Sequence, residues 1–354
     1  MYDVKALFYR LRRNPELFIN KITLTFILLY CMLCITRDNT KHTKGRIQMN
    51  TKKVIIYTSV TLVLAWIIQS VVSVFFMNHQ DMTGKTVFQV ALAAMMFVPA
   101  VVAIIVNKGF KGFGWKPKFK GCGWLIPVCM LVPGIVAIAG AALFFLFFPR
   151  FLDFGGSYLI AQGEQLGVDY TAMLAQKGMT MQTYNIISVL SAFFYGPLIN
   201  MFVALGEEVG WRGFLYPELN KKFNRVITWI IGGVIWAVFH FPCMAIAGYE
   251  YGFDYPGFPF VGWIVFTVCT IVLGAFEEMV YHKTKCIWYP ALLHGAVNAT
   301  SFIFMFLNAN EPDVNKYLIL GPGFNGVISM IPMVILAVIL GIVVMKKSKK
   351  ETQS

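Results

Sequence analysis

Six residues in the second half of this chain have the types and spacing that hydrolysis needs. Glu207, Glu208 and Arg212 lie in the stretch GEEVGWRGFLYP, from Gly206 to Pro217; His240 ends VIWAVFH; His294 and Asn298 share ALLHGAVNA. Glu208 and Arg212 stand at i, i+4 with the glutamate first, the favourable order on a helix, and Glu207 projects about 100° away from its neighbour. One carboxylate is thus paired with the arginine while the other stays free for a water or a metal. His294 and Asn298 repeat the i, i+4 spacing and share a helix face. A carboxylate and an imidazole can activate water directly or through a divalent ion, while a second imidazole and an amide donate to a developing oxyanion. No serine or cysteine is paired in sequence with these histidines, so a covalent nucleophile is not indicated. Each motif alone has a plainer reading: an ion pair at a solvated helix end, a hydrogen-bonded core histidine, or a polar contact between helices. A proton path would need only carboxylates and leaves Asn298 unexplained.

The elements that carry these residues are membrane spans. The 354 residues are 58% hydrophobic and 13% charged, and runs of about twenty apolar residues are long enough to cross a bilayer as helices. They cover 54–76, 87–106, 124–148, 186–215, 227–248, 260–276, 287–307 and 327–345. The expected fold is an all-α polytopic bundle of about eight transmembrane helices, because spanning segments must satisfy their backbone internally and a barrel would alternate. The net charge of +13 does not indicate nucleic acid: the basic residues cluster between spans, as cytoplasmic loops do. Lys52 and Lys53, Lys108 to Lys120, Lys221 to Arg225, Lys283 with Lys285, and the tail from Lys346 fall on one side, which places both termini in the cytoplasm. On that topology the GEEVGWRGFLYP motif lies at the cytoplasmic end of the fourth helix. The site then opens toward the cytoplasmic leaflet, with His294 roughly 10 Å below the surface.

Residues 1–48 break the pattern. A helix at 22–36 would put Lys5, Arg10, Arg12, Arg13 and Lys21 outside, and the expectation is that the chain proper starts at Met49. Residues 49–185 hold the first spans and one long external connection with an interfacial helix. Residues 186–310 hold the reactive helices, and 311–354 hold the last span and a basic tail. The seven cysteines show no paired spacing, so neither disulfides nor a cysteine metal site is expected. Glu277, Glu278 and His282 in FEEMVYHK mimic the first motif without its arginine. They are read as a solvated ion cluster at a helix end, outside the site.

In combination these motifs resemble the type II CAAX prenyl proteases and their bacterial relatives, the CPBP or lysostaphin-resistance-protein-like intramembrane proteases. The family pattern is Glu-Glu-x-x-x-Arg, then Phe-x-x-x-His, then His-x-x-x-Asn. Glu207, Glu208 and Arg212, then His240, then His294 and Asn298, follow it in order over about the last half of the eight-helix region. The resemblance implies an endopeptidase in which Glu207 with His240 activates water, His294 with Asn298 stabilises the oxyanion, and Glu208 with Arg212 orients them. It leaves metal use open: Glu207, His240 and His294 would hold Zn²⁺ with an open position, or the site works without metal. Trp236 stands where the family has Phe, a change expected to alter packing only. The implied partners are a peptide or membrane-protein substrate and the bilayer. A prenylated substrate follows by analogy alone, and peptide processing, bacteriocin self-immunity and membrane-protein turnover are equally open. The alternative is a non-enzymatic membrane immunity or binding protein of the same fold; a transporter fits less well, since no inverted repeat is evident.

Overall fold

The structure is a computed structural model and describes residues 48–353. The readings made of the segment before Gln48, including the stretch 22–36 and Cys31 and Cys34, lie outside the described residues. All the regular elements of the described chain are helices, and β pairing is confined to one isolated antiparallel bridge between Leu152 and Leu307.

Helix α1 (Thr51–Asn78) opens on Asn50, whose side chain accepts from the Lys53 N–H. A break at Met96 and Phe97 separates α2 (Met82–Met95) from α3 (Val98–Asn107), which together make one membrane-length stretch; α4 (Leu125–Phe147) is the next. The long connection holds α5 (Ser157–Gln165) and α6 (Tyr170–Gln176). The fourth predicted span is interrupted: α7 (Met181–Phe194) and α8 (Gly196–Gly210) meet at Tyr195 with a bend of 50°. Pro197 lies in the first turn of α8, where the missing N–H costs nothing. Beyond α8 the helix does not stop. A π turn (Trp211–Leu215) and α9 (Tyr216–Asn220) carry it on toward Lys221. Asn224 caps α10 (Arg225–Ala247), which ends on left-handed Gly248; α11 (Phe260–Thr284) returns beside it.

The seventh predicted span is a helix of only three turns, α12 (Trp288–Asn298), followed by a 3-10 stretch (Ala299–Phe306). After α13 (Val314–Tyr317), α14 (Ile331–Gln353) has an apolar part from Ile331 to Val344 that is shorter than a full span. All eight predicted apolar segments are therefore helical. Among the described residues five are long and apolar enough to cross a membrane, the stretch of α2 and α3 counted as one, and six if the bent pair counts as one span. The protein is a polytopic α-helical membrane protein.

The basic connections meet at one end of the bundle. Ile287 N–H donates to the Gly114 carbonyl, Trp288 Nε1 to that of Trp115, and the Tyr289 hydroxyl to that of Lys118. At the other end Asn308 N–H donates to the Phe151 carbonyl, and Asn325 Nδ2 to Glu250. Between the ends, two glycines set the depth of packing around α8. A Cβ on Gly206 would lie 2.5 Å from the Met96 carbonyl oxygen, and one on Gly295 would lie 2.5 Å from the Met201 backbone nitrogen. Small residues let membrane helices approach to backbone contact. Here they bring the α2–α3 break and α12 directly onto the helix that carries Glu207 and Glu208.

Candidate active site

Glu207 and Glu208 are both buried, and they face different partners. Glu207 Oε2 accepts from two indoles, Trp211 Nε1 at 2.9 Å and Trp236 Nε1 at 2.5 Å. Its other oxygen, Oε1, lies 4.0 Å from His240 Nε2. His240 Nδ1 is 3.0 Å from the Trp236 carbonyl, which fixes Nδ1 as the donor and leaves Nε2 as the ring nitrogen that accepts. Two acceptors, one carboxylate oxygen and one imidazole nitrogen, therefore confront each other at a distance too long for a direct bond.

Glu208 Oε1 accepts from Arg212 Nη1 and from His294 Nδ1, both at 2.8 Å. The i, i+4 pair expected from the sequence is thus formed, and His294 joins it. Glu277 also joins: its Oε2 pairs with Arg212 Nη2, and its Oε1 lies 4.0 Å from His294 Nδ1. Glu208, Arg212 and Glu277 have no exposed surface. A buried arginine between two carboxylates is the arrangement in which removing any one charge is costly. The guanidinium also lies 4.4 Å over the Trp236 ring, whose edge meets the His294 ring at 5.2 Å between centroids. Trp236 consequently touches both halves of the site.

A cavity of about 580 Å³ adjoins this arrangement, with Glu207, Trp236, His240, His294 and Asn298 in its wall. Asn298 is exposed at the last turn of α12, and its amide has no hydrogen-bond partner among the described residues. Toward its other end the cavity is bounded by Lys85, Tyr249, Glu250 and Asn325. Those residues belong to the end of the bundle away from the basic connections. The expectation that the site opens on the basic, cytoplasmic side is therefore corrected. It placed GEEVGWRGFLYP at the end of a helix, whereas the π turn and α9 extend that helix to Asn220, roughly 20 Å past Glu207 at 1.5 Å per residue. The basic end is plugged by fully buried side chains, among them Trp211, Leu215 and Tyr216.

Two further expectations change. FEEMVYHK is not a solvated helix end, because α11 runs on to Thr284 and both carboxylates are buried. Glu278 pairs with Arg225 at 2.7 Å and accepts from Trp229 Nε1 at 2.9 Å, while His282 stands 3.8 Å away and half-exposed. Trp236 does more than fill the volume of a Phe: its N–H orients Glu207. The signals available were an aromatic with a donor one turn before His240, and a second Glu-Glu pair flanked by apolar residues in a chain with few charges.

The donor set bears on metal binding. Among the described residues the group close enough to share an ion is Glu208, Glu277 and His294, with ligand atoms within 4.8 Å of one another. Glu207, His240 and His294, the ligands expected from the sequence, do not form such a group. In the group that does form, the Arg212 guanidinium already bonds both carboxylates. A cation is in effect built in.

The fold and this geometry define a class, a multi-pass helical membrane protein with paired glutamate and histidine groups around a cavity inside its bundle. Residues 189–300 match the family model described as type II CAAX prenyl endopeptidase Rce1-like. The match takes in every motif residue from Glu207 to Asn298 and supports a protease in a membrane. No curated protein matches the chain.

Proposed function

We propose that this protein is an intramembrane endopeptidase that hydrolyses a peptide bond with a water activated by Glu207 and His240. The observation that carries this reading is the facing pair of Glu207 Oε1 and His240 Nε2, 4.0 Å apart in a wall shared with His294 and Asn298. A water at about 2.8 Å from each would subtend an angle near 90° and donate one hydrogen to each acceptor. Its lone pair then points away from both, at the scissile carbonyl carbon. On attack the water oxygen bonds to that carbon and one proton passes to the Glu207–His240 pair. The carbonyl π electrons become an oxyanion, to which Asn298 Nδ2 and His294 donate. His294 Nδ1 already serves Glu208, so Nε2 is the ring nitrogen left to face the oxyanion, with the ring held between Glu208 and Glu277. Collapse of the intermediate breaks the C–N bond and returns the proton to the leaving nitrogen.

We read the reaction as metal-independent, since Glu207 Oε2 is taken by two indoles and the Glu208–Glu277–His294 group already holds a guanidinium. Glu207→Gln in the purified full chain should lower kcat on a membrane-peptide substrate by about 10²–10⁴-fold. Chelators should leave the wild-type rate within twofold. Unchanged cleavage by Glu207→Gln would remove Glu207 from the mechanism, and loss of activity on chelation, restored by Zn²⁺, would replace this scheme with a metal-assisted one.

The physiological role we infer is processing of membrane-associated or lipidated peptides, bacteriocin immunity included. The competing reading, protection by binding alone, predicts that immunity in cells survives Glu207→Gln. We read the basic connections as the cytoplasmic ones, and on that topology the Tyr249–Glu250 end of the cavity faces outward. A membrane-impermeant maleimide should label Tyr249→Cys on intact cells; labelling only after permeabilisation would invert the topology.

A further inference from the structure

Glu250 bounds the cavity at the end opposite Glu207 and is the one carboxylate of its wall that the hydrolytic scheme does not use. It follows the C-terminal glycine of α10 by two residues and has φ of +78°, a left-handed backbone that is uncommon outside glycine and costs energy to hold. Its Oε2 accepts from Asn325 Nδ2 at 2.5 Å, and the neighbouring Tyr251 hydroxyl donates to the Asn325 carbonyl at 2.9 Å. The carboxylate is therefore aimed and fixed by two loops. What it lacks is a cation. Glu208 and Glu277 share Arg212, and Glu278 has Arg225. Glu250 has only neutral partners among the described residues, and Lys85 of the same cavity wall is beyond ion-pair range. Burial pushes its carboxyl up to about 7, since the hydrogen bonds of Asn325 and Tyr249 offset the desolvation of the anion only in part and no cation adds to them. An oriented carboxylate without a counter-charge, on a strained backbone in the wall of a cavity, is built to receive one.

We propose that Glu250 docks a cationic group of the peptide substrate, a Lys or Arg side chain or a free α-amino group, while the scissile bond lies at Glu207 and His240. This rests on the endopeptidase reading above. The spacing is also set. From His240 to Gly248 the helix rises about 12 Å, a distance that an extended peptide covers in three to four residues. The substrate class is thus a peptide with a positive charge about three or four residues from the cleaved bond, entering from the end of the bundle that bears Tyr249 and Asn325.

The test uses the purified full chain and peptides carrying a single lysine at successive distances from a fixed scissile bond, each matched by a norleucine control. N-acetylated and free-amine versions separate the side chain from the α-amino group. The quantity read is the ratio of kcat/KM for the lysine peptide over its control. It should be about 10–100 at a three- or four-residue spacing, the range of a charge-assisted hydrogen bond, and fall to about 1 in Glu250→Gln. Glu250→Asp, which keeps the charge, should keep a preference. A ratio that Glu250→Gln does not change, or a wild-type ratio near 1 at every spacing, would overturn the assignment. So would equal loss on both peptides with the ratio preserved, since that marks Glu250 as a clamp on Asn325. The same peptides are titrated by fluorescence anisotropy against the Glu207→Gln protein with and without Glu250→Gln. If the wild type cleaves nothing, the endopeptidase reading has failed on its own. A lysine preference in binding that depends on Glu250 still supports the docking site, and its absence sinks it.

Discussion

Two Glu-Glu pairs face one another across the bundle, Glu207–Glu208 on α8 and Glu277–Glu278 on α11, and all four side chains are buried. Each pair splits the same way. One member reaches for Arg212: Glu208 through Nη1, Glu277 through Nη2. The other member accepts from an indole of α10: Glu207 from Trp236, Glu278 from Trp229. Those tryptophans are seven residues apart, two turns along one face. The pairs differ in what lies on the remaining side. Glu207 keeps an oxygen toward His240 and the cavity, whereas Glu278 is closed off by Arg225 and Asn220. On the proposed mechanism, residue type therefore does not separate a reactive carboxylate from a structural one. A free lone pair beside an imidazole and an open volume does.

The α11 pair can be broken one residue at a time. In Glu277→Gln, Arg212 loses one of two buried counter-charges, and Glu208 and His294 are less firmly held. We expect kcat to fall about 10- to 100-fold with KM little changed, together with a drop in thermal stability of about 1–3 kcal/mol. Glu277→Asp should recover part of the kcat, as a positioning role requires. Glu278→Gln breaks a pair whose arginine is partly exposed, so its cost should be nearer 1 kcal/mol, with kcat within twofold. Steady-state kinetics and melting of the detergent-solubilised variants check both. If Glu277→Gln lowers stability and leaves kcat alone, Glu277 is structural and the two α11 glutamates are alike.

Much of this site is local and therefore legible from the residues. Glu208–Arg212 and His294–Asn298 are i, i+4 pairs, and helix periodicity alone sets them side by side. The contact of Glu207 with His240 joins α8 to α10 and was reachable only because the motifs resemble a family pattern. Glu277 was missed because FEEMVYHK ends in His282 and Lys283, which read as a helix emerging into solvent; α11 instead buries Glu277 two turns before its end. The spans were legible as apolar segments, but not their interruptions. The Tyr195-Gly196-Pro197 step carried a helix-start signal inside an apolar run. Nothing comparable marks the change to 3-10 geometry after Asn298. The direction of the cavity was read wrongly for a related reason: the motif's charges suggested a helix end, and the aromatic plug formed by Trp211 and Tyr216 turned it into a helix middle.

The finest test compares the two tryptophans, because Trp236→Phe and Trp229→Phe delete the same N–H from the same kind of carboxylate bond. Each indole donates to a buried glutamate, so each deletion should cost about 1–2 kcal/mol of stability, the range for hydrogen bonds to charged groups. In Trp229→Phe that is the whole effect, since Glu278 retains Arg225. In Trp236→Phe the carboxylate of Glu207 keeps only the Trp211 donor and is freer to rotate its Oε1 away from His240. The family pattern has Phe at this position, so the variant should remain active, with kcat lowered about 3- to 10-fold and KM nearly unchanged. Equal kcat in the two variants would mean that Trp236 serves packing alone. A kcat loss confined to Trp236→Phe would mean that, in this chain, the indole has become part of how the reactive glutamate is aimed.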